Sequence, residues 1–321
     1  MLKYAVRRLL YMIPLLIGIS FIAFAILHLA PGDFTSAMSR DPTVSKALIA
    51  QIRHEYGLDL PWYRQYMLWL WNALHLNFGY SFSYRTPVVV LIWQRMGNTL
   101  ILALSSLILS WGLAVPLGVW AAVRKNSFVD KFIGLTAFAG VSIPSFFLAL
   151  LALLLAEKTG LFPVGGMRSP QAFFFSPLHR VTDVLWHLFL PMCVLAAGGL
   201  AGVIRQMRGG LLDTLSDTYI QAARARGLSE RAVIWKHAFR NAINPIITLF
   251  GLSLAGLLSG SAIVESVMAW PGLGKLILDA VLARDLYLVM GSFVMGAALL
   301  LLGNLFADIA LVFLDPRIRM E

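Results

Sequence analysis

Long apolar runs separated by polar connections dominate the chain, and six of them are long enough to cross a membrane. They occupy residues 9–30, 99–123, 132–156, 186–204, 246–264 and 286–313, each close to or above the roughly 20 residues that a membrane helix requires. The pattern predicts an all-α polytopic membrane protein with six transmembrane helices. Two connections are too long to be simple links. Within residues 31–98, "TVSKALIAQIRHEYGL" and "PWYRQYMLWLWNALHL" place apolar residues at helical spacing. The second begins at Pro61 and is rich in Trp and Tyr, which gather at membrane interfaces, so a small helical cap on the outer leaflet is expected.

The other long connection reads "DTYIQAARARGLSERAVIWKHAFRNAINP", residues 217–245. Residues 217–226 suit a helix, with the small residues Ala222 and Ala223 able to lie against another surface. Gly227 is placed to end it in the left-handed conformation that glycine tolerates, and Leu228 can supply the apolar contact that follows such a cap. Ser229 suits the N-cap of a second helix running from Glu230 towards Arg240. Val233, Ile234 and Ala238 recur along it, and Asn244-Pro245 reads as N-cap and first turn of the next span. Helix, turn, helix is the expectation. Two uses remain open: a basic pair resting on anionic lipid, or a rigid knob that plugs into a partner and receives its motion.

Composition strengthens the membrane assignment. Of the 321 residues 59% are hydrophobic and 13% charged, against about 25% charged in soluble domains. The net charge of +10 does not point to nucleic acid, because Lys and Arg also orient membrane helices. They concentrate in the first tail (Lys3, Arg7, Arg8), the second connection (Arg124, Lys125, Lys131), residues 205–245 and the end (Arg317, Arg319). That bias places both termini and the 205–245 loop in the cytoplasm. The first apolar run exceeds a signal-peptide core and no small-residue cleavage site follows, so it reads as an uncleaved span. Cys193 stands alone and builds neither disulfide nor thiolate site.

The spans lack machinery of their own. His28, His187 and Asp308 lie near span ends, and no ionisable residue sits at mid-depth, where a proton or ion relay would be needed. No carboxylate pair, metal-ligand cluster or nucleophile–base pair converges. "PGLGK" (residues 271–275) fails the spacing of a phosphate loop. Energy must therefore come from another polypeptide. The spans are rich in small residues and proline, as in "AVPLG", "GVSIPSF", "LAAGGLAG" and "GLSLAGLLSGSA", which fits either static close packing or a bundle that rocks around a pathway.

The segment "QAARARG" resembles the E-A-A-x-x-x-G loop of ABC-importer permeases. Ala222, Ala223 and Gly227 match, Gln221 replaces the glutamate, and "HAFRNAINP" resembles the tail of the peptide/nickel branch. The N-terminal "MLKYAVRRLLYMIPLLIGISFIAFAILHLAPGD", the later "ESVMAWPGLGKLILDAVLARDLYLV" and the terminal "DPRIR" resemble the "B"-type permease of dipeptide and oligopeptide importers from end to end. The resemblance implies a type I ABC importer fold in the bacterial inner membrane. It also implies a homologous second permease, two ABC ATPases and an extracytoplasmic solute-binding protein as partners, besides membrane lipid.

On this resemblance the chain is a transport subunit rather than an enzyme and binds no cofactor itself, ATP and Mg being used by the ATPases. The coupling surface would comprise Tyr219, Ala222, Ala223, Arg224, Arg226, Gly227, Leu228 and Ser229, and an external gate Glu265, Trp270, Pro271, Gly272 and Gly274. The implied organisation is a tail and first span (1–30), an external insert (31–98), a five-helix core (99–313) containing the coupling loop (205–245), and a cytoplasmic tail (314–321). Peptides are the expected cargo, with nickel or another small solute as the alternative. A non-ABC transporter or a membrane scaffold is a more distant reading.

Overall fold

The computed structural model describes residues 2–29, 32, 35–39 and 44–314, which form helices joined by short turns; the only β pairing among them is an isolated bridge between Tyr80 and Pro87. In chain order the helices are α1 (Leu2–Leu29), α2 (Thr35–Met38), α3 (Lys46–Glu55), α4 (Trp62–Leu74), α5 (Val88–Val123), α6 (Phe128–Ser142) and α7 (Ser145–Thr159). After a 3-10 turn (Pro170–Phe174) come α8 (Pro177–Ser216), α9 (Thr218–Ala225), α10 (Glu230–Ala232), a π-helical stretch (Val233–Ala238) and α11 (Phe239–Ala242). The chain ends in α12 (Asn244–Val267), α13 (Leu273–Leu282) and α14 (Leu286–Leu314). The terminal "DPRIR" and the side chain of Asp308 lie outside the description.

Four helices among the described residues are long and apolar enough to cross a membrane, over Val6–Leu29, Val88–Val123, Pro177–Ser216 and Leu286–Phe306. Large apolar side chains stay exposed along α1, among them Leu10, Ile22 and Ile26. Water does not tolerate such a surface, whereas lipid does. The span expected over 132–156 differs from a single rod. It is the pair α6 and α7, bent by 100°. Ile143 is extended (φ −93°, ψ 124°) because the ring of Pro144 disfavours helical backbone in the residue before it. Two other spans outrun their apolar runs: α5 starts at Val88 rather than 99, and α8 covers 177–216 rather than 186–204.

The described chain forms two compact units, Leu100–Trp270 with the residues from Gly303 onward, and Leu2–Thr99 with Pro271–Leu302. In the first, α8 packs against α6, α7 and α12. Gly118 allows α5 to touch α8, since a Cβ there would lie 2.6 Å from the Met207 Cβ and 2.9 Å from the Ile204 carbonyl oxygen. One buried cluster gathers Ile133, Met207, Leu211, Ile220, Val233, Ala238 and Ile246. A second holds Leu107, Ala149, Leu195, Val264 and Trp270. Buried Asp130, near the start of α6, accepts Arg208 Nε at 2.6 Å and Nη2 at 2.8 Å and the Asn126 N–H at 2.9 Å. That lock sits near the end of α8 from which α9 departs.

In the second unit Phe24, Tyr66, Trp69, Phe78, Val88, Leu273 and Leu288 form the core. The Tyr66 hydroxyl fastens α4 to α1, donating to the Ile17 carbonyl at 3.2 Å beside the Ser20 hydroxyl at 3.0 Å. Fully buried Asp285 accepts the Leu288 N–H at 3.2 Å, capping α14, and holds the 81–83 turn through Ser81 Oγ (2.6 Å) and the Ser83 N–H (3.0 Å).

Candidate functional site

The candidate coupling surface grows out of α8. Met207 and Leu211 are buried, and the helix stops at Ser216 because Asp217 adopts extended backbone (ψ 146°). The chain turns there and forms α9, whose Ile220 and Ala223, three residues apart and so on one face, are buried in the first core cluster. Gly227 then takes φ +79°. The Leu228 N–H donates to the Ala223 carbonyl at 3.4 Å and the Gly227 N–H to the Arg224 carbonyl at 2.9 Å, the double closure of a Schellman motif. Ser229 caps the next helix, accepting the Ala232 N–H at 3.4 Å. Expectation and structure agree on each of these local steps.

The faces divide more sharply than the sequence indicates. Ala222 is exposed and Ala223 is buried, so only the first alanine is presented. Tyr219, Arg224, Arg226, Gly227, Leu228 and Ser229 are exposed around it. A Cβ at Gly227 would meet nothing within 4 Å, so this glycine is required by its φ and not by crowding. Two ties invisible in the motif cross the knob. Arg224 pairs with Glu230 across the turn, Nε to Oε1 at 2.8 Å and Nη2 to Oε2 at 3.3 Å. The Asn241 amide donates to the Tyr219 hydroxyl at 2.6 Å. The second helix is not regular: α10, the π-helical stretch and α11 succeed one another, burying Val233, Ala238 and Ala242. The expected N-cap at Asn244 falls inside helical backbone, with Ile243 at φ −78°, ψ −22°.

The candidate external segment is built differently. Glu265 and Trp270 are fully buried. After Met268 the chain passes through Ala269 in left-handed backbone (φ +54°). Gly165 lies so close that a Cβ would be 2.8 Å from the Met268 carbonyl oxygen, and the Gly166 N–H donates to that oxygen at 2.9 Å. Pro271, Gly272 and Gly274 belong to the second unit, whereas Glu265 and Trp270 belong to the first. There the Asn98 amide donates to the Pro271 carbonyl at 2.8 Å, and the Thr99 hydroxyl accepts the Leu273 N–H at 2.7 Å. Gly272, extended, precedes the first turn of α13.

Two further sets of ionisable groups are held in local hydrogen bonds. Asp183, on the first turns of α8, accepts Ser169 Oγ at 2.6 Å and its N–H at 2.9 Å, and the His187 ring donates to the Asp183 carbonyl oxygen at 2.8 Å. Beyond α3, the His54 imidazole meets the Asp59 carboxylate at 2.8 Å; this bond raises the His54 pKa above its ordinary value and lowers that of Asp59.

Residues 114–320 match the family described as binding-protein-dependent transport system inner membrane component, and residues 1–103 match its N-terminal membrane component. The chain is 42% identical to the oligopeptide transport system permease protein AppB of Bacillus subtilis, over 99% of this chain and 100% of that protein. It is 34% identical to the dipeptide transport system permease protein DppB of Escherichia coli K12, over 99% of each. Among solved structures, a chain of the MetNI methionine ABC transporter, described in inward facing conformations, superposes with a TM-score of 0.57 at 17% identity. The match covers 70% of this chain and 96% of that one.

Proposed function

This chain belongs to the family of binding-protein-dependent transport system inner membrane components, and from that premise we propose that it is the permease subunit of a peptide-importing ABC transporter. Its relatives named for oligopeptide and dipeptide transport support the cargo. α1, α5, the bent α6–α7 pair, α8, α12 and α14 make six crossings, with both termini and residues 205–245 in the cytoplasm, as the Lys and Arg distribution requires. Helices α2 to α4 form a cap on the opposite face, where the exposed Trp62, Tyr63 and Trp71 of α4 suit the lipid interface.

The observation that carries the coupling assignment is the division of α9. Ile220 and Ala223 anchor one face in the core, while Ala222 and the turn at Gly227 project from the other. A short helix held this way passes force from an ATPase into α8 without bending. A homologous second permease completes the pathway, two ATPases bind the paired knobs, and an extracytoplasmic binding protein delivers peptide. ATP chemistry then resides in the ATPases, and residues 265–274 shape the external end of the pathway.

Reconstitution of the four kinds of subunit with ATP tests this. Peptide uptake with binding-protein-stimulated ATP hydrolysis is expected, and replacing Ala222 by Trp should reduce the stimulation about tenfold or more while leaving the permease folded. Unaltered stimulation in that variant removes α9 as the coupling helix.

A further inference from the structure

Between the α3–α4 turn and the start of α14, the second unit forms a half-open cavity of about 350 Å³. Its walls are aromatic: Tyr56, Trp69, Tyr80 and Tyr287. Asn72 and Asn77 bring carboxamides, and Glu55 brings a carboxylate. Among the described residues neither Lys nor Arg lines it, although Lys46, Arg53, Arg64 and Arg85 lie close by in sequence. The imidazole of His54, also in the wall, is engaged by Asp59.

The cavity is preformed. The Tyr287 hydroxyl donates to the Tyr56 carbonyl at 2.7 Å, and Phe82 stacks on Tyr287 at 5.5 Å while meeting Tyr56 edge-on at 4.6 Å. Gly79 closes against this group at φ +90°, where a Cβ would lie 3.1 Å from the Tyr287 ring. Trp69 is 4% exposed, and its indole N–H is buried without a hydrogen-bond partner among the described residues. Buried donors are rarely left so.

Aromatic walls, the Glu55 carboxylate and a His54 imidazole whose charge the Asp59 carboxylate balances favour a protonated amine over an anion, because ring faces attract ammonium and a carboxylate strengthens the bond. Carboxamides complement an adjacent amide group. We propose that this cavity binds the amino-terminal ammonium and first amide of a short peptide, a holding site apart from the coupling surface. The peptide as source rests on the permease reading above. A lipid ethanolamine headgroup offers the same ammonium, so the test separates the two.

The complete transporter, in phosphatidylcholine nanodiscs and without binding protein, is titrated calorimetrically with trialanine and with N-acetyl-trialanine. Saturable trialanine binding is expected, weakened about tenfold or more by acetylation or by Glu55→Gln, as loss of a charge-assisted contact implies. Trp69→Phe, which keeps a ring and removes the N–H, should weaken it less. Glu55 is exposed at the end of α3, so its exchange leaves the fold intact. Equal binding of the acetylated peptide, no effect of Glu55→Gln, or absence of binding overturns the proposal. Loss of trialanine binding in phosphatidylethanolamine nanodiscs, or binding of methyl glucoside in its place, overturns it as well. Peptide uptake is measured in the same preparation with binding protein and ATP. Absent uptake in the unaltered transporter defeats the permease reading, whereas normal uptake without amine-dependent binding defeats only the holding site.

Discussion

The helix Thr218–Ala225 and the segment 265–274 are both short, both rich in small residues, and oppositely arranged. The helix buries Ile220 and Ala223 and leaves most of its remaining surface to solvent, whereas the segment hides Glu265, Met268, Trp270 and Gly272. A motif marks a physical constraint without saying which kind. At α9 the constraint is a presented shape: a small outward residue and a turn that only positive φ closes. At 265–274 it is interior packing, with a full indole in the core and the Met268 carbonyl oxygen only 2.8 Å from where a Cβ at Gly165 would lie. Substitutions should therefore damage function without stability in the first region, and stability before function in the second.

The largest expected effect is at Trp270. Its side chain is fully buried beside Leu107, Ala149 and Val264, so Trp270→Ala should cost about 3–5 kcal/mol, the range for truncating a buried aromatic. Thermal unfolding of the purified protein in detergent reads this directly. A variant of unchanged stability that failed in transport would erase the contrast and make the segment a presented surface after all.

Ala222→Trp tests the other side. Being exposed, it should shift stability by no more than about 0.5 kcal/mol, yet reduce stimulated ATP hydrolysis about tenfold or more if α9 seats in a close-fitting groove. Ala223→Trp, one residue along and buried, should instead unfold the knob. The pair separates docking from packing with the same added side chain.

Gly227→Val lies between them. Its Cβ has space, so the cost is the left-handed backbone alone, about 1–3 kcal/mol for a non-glycine residue. Gly227→Asn should recover much of it, since asparagine tolerates that conformation. Hydrogen exchange over residues 224–232, compared across the two variants, shows whether the turn has opened. If valine and asparagine behave alike, the positive φ is not what this position requires.

What the sequence made legible follows the range of the interactions. Gly227, Leu228 and Ser229 act on neighbours a few residues away, and the turn they build was readable from spacing alone. Four of the six apolar runs, each a single helix long enough to cross lipid, were readable because lipid imposes a length. The 100° bend at Ile143–Pro144 was not, although the proline was visible, because proline inside a span is often accommodated by neighbouring helices. Also hidden were the hold of Asp285 on Ser81 across 204 residues and the Asp130–Arg208 lock across 78. Each joins polar residues whose partners only folding brings together. The split between Ala222 and Ala223 was hidden for a related reason: which alanine faces outward depends on where α8 sends the chain.

The smallest expected effect concerns what holds the knob in place. Arg224 and Glu230 clasp the turn, but their side chains are 41% and 63% exposed, and exposed pairs contribute about 0–1 kcal/mol. Ile220 and Ala223, by contrast, are buried. If the core orients α9, Glu230→Gln should leave stimulated ATP hydrolysis within about twofold of the unaltered transporter at about 0.15 M salt, and raising the salt should remove the difference, because screening weakens the native pair as well. A tenfold loss would mean that the polar clasp sets the orientation of the helix. Arg224 would then be a structural strut whose charge is spent within the chain, and the ATPase would have to recognise the knob through Ala222, Tyr219 and the turn alone.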